Sequence, residues 1–155
     1  LSDVTNLTEA DFVDWGNADN YVKAVGVGEC AGVVIDLVAT LLYEAKDKLT
    51  FAQEAFEDKK WSDAIYLAYA GFVNGAKALL LAENQKTNHH AGIIDLFDTV
   101  FVETNKIQLA TSFKELVYKI RENEPSETFA KEYIATAIAF FETIETYRAL
   151  DLSKA

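Results

Sequence analysis

The sequence predicts an all-α protein, an up-and-down antiparallel bundle of four to five helices, and three observations carry that expectation. Beyond position 32 the apolar residues recur at helical spacing, with no strand-like alternation and no internal repeat. The chain holds one proline and seven glycines, so little of its length is available for turns or linkers. Half of its 155 residues are apolar or aromatic, which is enough for one domain with a substantial core.

The first helix is expected from about Cys30 to Asp58, because Val34, Val38, Leu41, Ala45, Leu49, Ala52 and Phe56 share one face. Residues 1–29 read as a lead-in segment, the join to a larger upstream protein, and residues 30–152 as the bundle. Between Val33 and Tyr43 the apolar residues spread over more than one face, so this stretch needs cover on two sides. A second copy of the chain, or the remainder of a longer polypeptide, would supply it. Ser62 is placed as the N-cap of the second helix, with Asp63 at its positive end. That helix carries Ile65, Ala68, Tyr69, Phe72, Val73, Ala76, Leu79 and Leu80 and is expected to end near Glu83. Gly71 and Gly75 lie one turn apart on it. Each costs roughly 1 kcal/mol against alanine in a helix, and close approach of a neighbouring helix is the expected compensation.

Asn84 to His90 is polar and reads as a loop. A third helix follows with Ile93, Ile94, Phe97, Val100 and Phe101, then a connection around Asn105. Ser112 and Glu115 have the spacing of a capping box ahead of Leu116, Val117 and Ile120. Pro125 breaks the chain, and Ser126 caps a last helix with Phe129, Tyr133, Ala137, Phe140, Phe141 and Ile144 inward.

Charge narrows the partners. Acids outnumber bases 25 to 14 for a net charge of -11, and the bases are scattered, none denser than Lys59-Lys60. A long nucleic acid needs clustered lysine and arginine and is disfavoured; a short RNA held by a few local contacts remains compatible. The longest apolar region, Ala31 to Tyr43, is interrupted by Asp36 and Thr40, so no membrane span is expected. The acidic start, Leu1 to Asp14, is unlike a secretory signal, and one cysteine excludes an internal disulfide. These features point to the cytoplasm. The chain opens on Leu1 and contains no methionine, which reads as a fragment or a processed product.

Four constellations bear on chemistry. Gly26-Val-Gly28-Glu-Cys-Ala-Gly32 follows an extended-looking Tyr21 to Val25, as a dinucleotide-binding turn would, yet no second parallel strand follows the helix. A flexible lead-in is the preferred reading. Cys30 near a helix N-terminus has no paired histidine or second cysteine in sequence, so a buried or incidental thiol is preferred to a nucleophile. His89 and His90 are adjacent, a poor geometry for one metal, and no other His or Cys cluster completes a site. One of the pair is expected to cap the third helix or bond a carbonyl. Carboxylate pairs such as Glu54 with Asp58 lack the Glu-x-x-His partners of a di-iron bundle and read as solvated faces. No catalytic residue, metal or cofactor is assigned.

The order Ser62-Asp-Ala-Ile-Tyr66-Leu-Ala-Tyr69-Ala-Gly-Phe72, then Ala76-Lys77-Ala78-Leu79-Leu80-Leu81, resembles the second helix of HEPN domains. Lys86-Thr87-Asn-His-His90-Ala-Gly92-Ile resembles the Lys-Thr-His-x-Gly segment of that family. Leu96-Phe97, Val100-Phe101-Val102 and Asn105-Lys106-Ile107 match its third helix and exit, so the resemblance spans about residues 41–150. It implies a helical bundle that commonly dimerises, in a family with RNA-cleaving toxins and partners of nucleotidyltransferases. The cleaving members carry an arginine followed after four to six residues by a histidine. Here the only arginines, Arg121 and Arg148, lie downstream of both histidines, and Glu83, Asn84 and Gln85 occupy the required positions ahead of His90. A second resemblance covers residues 12–35. Asp14-Trp15-Gly16 with the Gly26 to Gly32 run is similar to the join between a sulfite or nitrite reductase and a C-terminal HEPN extension. One cysteine cannot hold a four-iron cluster, so the reductase chemistry does not come with it.

The expectation is a non-catalytic interaction or dimerisation module, an accessory C-terminal domain of a larger reductase-like protein. The alternative is an RNA- or nucleotide-binding domain that uses Lys77, Lys86, Thr87 and His90.

Overall fold

The computed structural model describes residues 27–154, with side chains from Gly32 onward. Five α-helices are present among them: α1 (Val27–Glu57), α2 (Trp61–Ala82), α3 (His90–Phe97), α4 (Phe113–Val117) and α5 (Glu127–Ser153). A π-helical turn, Asp98–Val102, extends α3, and a 3₁₀ turn, Tyr118–Arg121, extends α4. The all-α bundle is therefore observed. α1 starts three residues before the expected Cys30, so residues 27–29 of the anticipated lead-in are already helical. The rest of that lead-in, and Gly26 of the glycine run, fall outside the described residues.

Helix ends follow local chemistry. α1 stops where Lys59 takes φ 62°, with the Lys60 N–H donating to the Ala55 carbonyl at 2.9 Å and the Lys59 N–H to Phe56 at 3.0 Å. That pair of bonds closes a left-handed helix end. Asn84 does the same for α2 at φ 64°, with the Gln85 N–H reaching the Leu80 carbonyl at 2.8 Å. Ser62 is not the cap of α2. The helix begins at Trp61, Lys60 holds the cap position without a side-chain bond, and Ser62 is already inside the first turn. Trp61 packs on Phe56 with ring centroids 5.1 Å apart, which draws the chain into the helix early. The Ser112 and Ser126 caps are observed: each hydroxyl accepts a backbone N–H, from Glu115 and Phe129, at 3.1 Å.

α1 and α2 form an antiparallel hairpin, with Leu37 and Val38 beside Ala78 and Leu81 at one end. α5 packs across this pair, and α3 and α4 close the remaining side of α2. The main core is rich in rings. Phe97 lies 4.6 Å from Phe113, Phe113 lies 4.7 Å from Phe140, and Phe72 meets Tyr133 and Phe140 at 5.3 and 5.5 Å. The Tyr133 hydroxyl donates to the Val117 carbonyl at 2.7 Å, so this buried phenol is satisfied, and burial pushes its pKa well above the ordinary tyrosine value. Among the described residues α2 is the one helix long and apolar enough to cross a membrane, but 67% of that window is buried inside the bundle, as in a core helix.

Asp98 corrects the reading of the acids as solvated faces. It is only 9% exposed, and its carboxylate accepts the Phe113 N–H at 2.7 Å and the Lys114 N–H at 3.0 Å. The π-helical turn sets Asp98 against the start of α4, where unsatisfied N–H groups and the helix dipole favour an anion. The acid thus fastens α4 to the end of α3 from fifteen residues away. Its position four residues after Ile94 and three before Phe101, both buried, was the available sequence signal.

The two helical glycines differ. A Cβ on Gly71 would stand 2.6 Å from Leu49 Cδ2 and 2.9 Å from its Cγ, closer than carbons approach. A Cβ on Gly75 would meet Phe140 and Ile144 at 3.6 and 3.9 Å, which is ordinary contact. α1 therefore approaches most closely at Gly71, and the surroundings of Gly75 leave room for a methyl group.

The candidate site around the loop after α2

The loop 83–89 runs from the end of α2 to the start of α3, and it splits the four expected ligand residues into two groups. Lys77, Lys86 and Thr87 line one cleft of about 150 Å³ with Leu41, Leu80, Leu81, Gln85 and Asn88. Lys77 comes from α2, Leu41 from α1, and the remaining polar groups from the loop. Gly92 shapes this end of the molecule. A Cβ there would lie 2.8 Å from the Thr87 hydroxyl oxygen, so the missing side chain lets the loop fold back against the first turn of α3. That close approach is a physical reason for the Thr87 to Gly92 spacing.

The cleft is not simply cationic. Glu44 of α1 stands near Lys77, and burial pushes its carboxyl above the ordinary glutamate value although Lys77 and Lys48 pull it down. An anion entering beside Lys77 would meet that carboxylate as well as the two lysines.

His90 lies elsewhere. Its Nδ1 and the Tyr69 hydroxyl share a hydrogen bond at 3.2 Å, with ring centroids 5.7 Å apart. Neither histidine caps α3 through its side chain: His89 occupies the cap position in an extended conformation without a side-chain bond. Tyr66, 61% exposed, sits 6.2 Å from the Tyr69 ring. Burial raises the Tyr69 hydroxyl above its ordinary value; Tyr118 adds to the push and Arg121 opposes it, so both lie within electrostatic reach. The Arg121 guanidinium rests 3.8 Å from the centre of the Tyr118 ring. Arg148, the other arginine, is 3.7 Å from Asp151 on α5. Among the described residues, no three His, Cys, Asp or Glu side chains gather as metal ligands would.

A long helical hairpin, a crossing C-terminal helix and a short capped pair define a helical-bundle domain. Its sequence places it more narrowly. The model of the HEPN domain matches residues 38–147, and the chain belongs to the HEPN family. A protein of Methanocaldococcus jannaschii named "Putative toxin MJ0605" is 31% identical over 115 residues, covering 70% of this chain and 86% of that protein. No solved structure matches the chain.

Proposed function

We propose that this HEPN domain is a non-catalytic docking module, and that it docks through the outward side of the first half of α1. One observation carries the reading. Ile35 and Tyr43 are 45% and 72% exposed on a stretch whose opposite side, Leu37 and Val38, is buried against Ala78 and Leu81 of α2. Large apolar groups on the open side of a helix already packed on its other side mark a surface for a partner. The absence of cleavage is supported by chain order, since neither arginine precedes a histidine as in the cleaving HEPN members. The partner is a second copy of the chain or the remainder of a longer, reductase-like polypeptide in the cytoplasm.

The test is the size of the native polypeptide and its state of association, with hydrogen exchange at Ile35 and Tyr43. A dimer, or a larger chain in which these positions are protected, supports the reading. A stable monomer of 17.2 kDa with both positions open to exchange overturns it.

A second reading rests on a separate observation, the convergence of Lys77, Lys86 and Thr87 on one cleft. Two ammonium groups, a hydroxyl and the Gln85 and Asn88 amides would suit a phosphate of a nucleotide or short RNA. Saturable binding of a short RNA, lost in Lys77→Ala and Lys86→Ala, would support it; unaltered binding in both variants would remove it.

A further inference from the structure

The apolar end of the α1–α2 hairpin and the lysine cleft form one continuous surface. Leu41 and Leu81 belong to both: they pack with Leu37, Val38 and Ala78, and they line the cleft together with Lys77 and Lys86. Beside them Ile35 and Tyr43 stand exposed on α1. We infer that in the free chain this surface is held by the chain's own residues 12–22, which a docking partner must displace. The inference rests on the docking reading of α1 and names what occupies that face before a partner arrives.

Composition and charge select this occupant. Residues 12–22, outside the described structure, hold Phe12, Val13, Trp15, Tyr21 and Val22 together with the acids Asp14 and Asp19. The apolar groups match Ile35, Tyr43 and the partly buried Val33 and Val34, and the acids match the two ammonium groups of the cleft. Residues 1–26 carry five acids and one lysine, a charge of -4, which leaves -7 of the total -11 on the rest of the chain. The segment is therefore repelled by most of the surface and attracted at the lysine cleft. Glu44 competes for Lys77, so the apolar residues hold first and the acids second.

Reach permits the contact. Leu41 and Tyr43 lie about 21 and 24 Å along α1 from its first residue, Val27, at the helical rise. Trp15 precedes Val27 by twelve residues, and an extended chain of that length spans up to about 40 Å. A segment that turns back at the start of α1 can set Trp15 beside Leu41 or Tyr43 with length to spare. A short link also keeps the segment at roughly millimolar effective concentration, so weak contacts are enough to hold it and a partner of ordinary affinity is enough to displace it.

The test is paramagnetic broadening in the full chain. Cys30→Ser removes the one thiol, and Asn17→Cys carries a spin label within the segment. Amides of residues 33–43 and 85–88 are expected to broaden, while a mixture of spin-labelled chains with separate isotope-labelled chains shows no broadening there. Tyr43→Ser and Trp15→Ser should each remove the broadening and leave the amide spectrum of the core unchanged, and Lys77→Glu with Lys86→Glu should reduce it. Broadening seen only in the mixture overturns the inference, because the occupant is then a second copy, and upholds the docking face. No broadening, with Ile35 and Tyr43 still protected from exchange, overturns the inference and again leaves the docking face standing. Broadening that survives both Tyr43→Ser and Trp15→Ser overturns it as well.

Discussion

The two ends of the α1–α2 hairpin are built differently. Around Leu49, Ala52, Ala64 and Ala68 the hairpin is enclosed by α3, α4 and α5, and the enclosed volume is filled by Phe72, Phe97, Phe101, Phe113 and Phe140. Around Leu37, Val38, Ala78 and Leu81 two helices face one another, with Val33, Val34 and Leu41 partly buried at the margin. The first end is a core and the second is a layer. The chain places its stability in the former and leaves the latter with exposed apolar positions, Ile35 and Tyr43, and with the loop that carries the lysine cleft. A region that holds up a binding surface need not be the most stable part of the fold.

The sharpest way to break that contrast is to truncate one side chain at each end. Phe97 is fully buried and touches the rings of Phe101, Phe113 and Phe140, so Phe97→Ala should cost about 4 kcal/mol in urea unfolding. Leu37→Ala, in the layer, should cost about 2 kcal/mol, because fewer neighbours surround the lost methyl groups and the layer can close over them. Hydrogen exchange should show its effect confined to the first half of α1 and the end of α2. Equal losses, spread over the molecule, would mean that the two ends unfold as one unit.

Next in size is Asp98. Removing its carboxylate leaves the Phe113 and Lys114 N–H groups without their acceptor in a buried place, so Asp98→Ala should cost about 3 kcal/mol. Asp98→Asn keeps one acceptor oxygen and should lose about half as much. Near-equal stability of Asp98→Ala and wild type would show that α4 is capped by water instead.

The glycines sharpen the comparison at the next scale. Gly75→Ala should stabilise by about 0.5–1 kcal/mol, since the helix gains propensity and the methyl group fits. Gly71→Ala gains the same propensity but must displace Leu49, a core residue, and should fall about 1–2 kcal/mol below Gly75→Ala. Identical melting temperatures would put the closest helix contact somewhere other than Gly71.

Much of the fold was legible because its signals are local. Helical spacing with few glycines defined the long helices, Glu115 three places after Ser112 announced one cap, and the break at Pro125 announced the other at Ser126. Ser62 shows the limit: a good capping residue is overridden when Trp61 packs on Phe56 and starts the helix one position sooner. The candidate site was half legible. Lys77, Lys86 and Thr87 do converge, whereas His90, the first residue of α3, turns to Tyr69. That division depends on which way each side chain leaves its helix or loop, and spacing carries no such information. Asp98 was missed for a related reason, since the backbone N–H groups it accepts from lie fifteen and sixteen residues away in the chain.

The smallest expected effect tests whether the layer is tuned for binding instead of stability. Burial raises the Glu44 carboxyl above its ordinary value despite Lys77 and Lys48. A raised acid favours the folded state at pH values below its unfolded pKa, and that advantage is lost as pH rises through the folded pKa. Near neutral pH Glu44 is charged at a cost, so Glu44→Gln should melt slightly higher than wild type there. Below the ordinary glutamate range both side chains are neutral and the difference should close. The same substitution removes the carboxylate that competes for Lys77, so any phosphate binding in the lysine cleft should strengthen as stability rises. A variant that gains stability but binds no better would separate Glu44 from the cleft, leaving burial alone as the reason for its raised value.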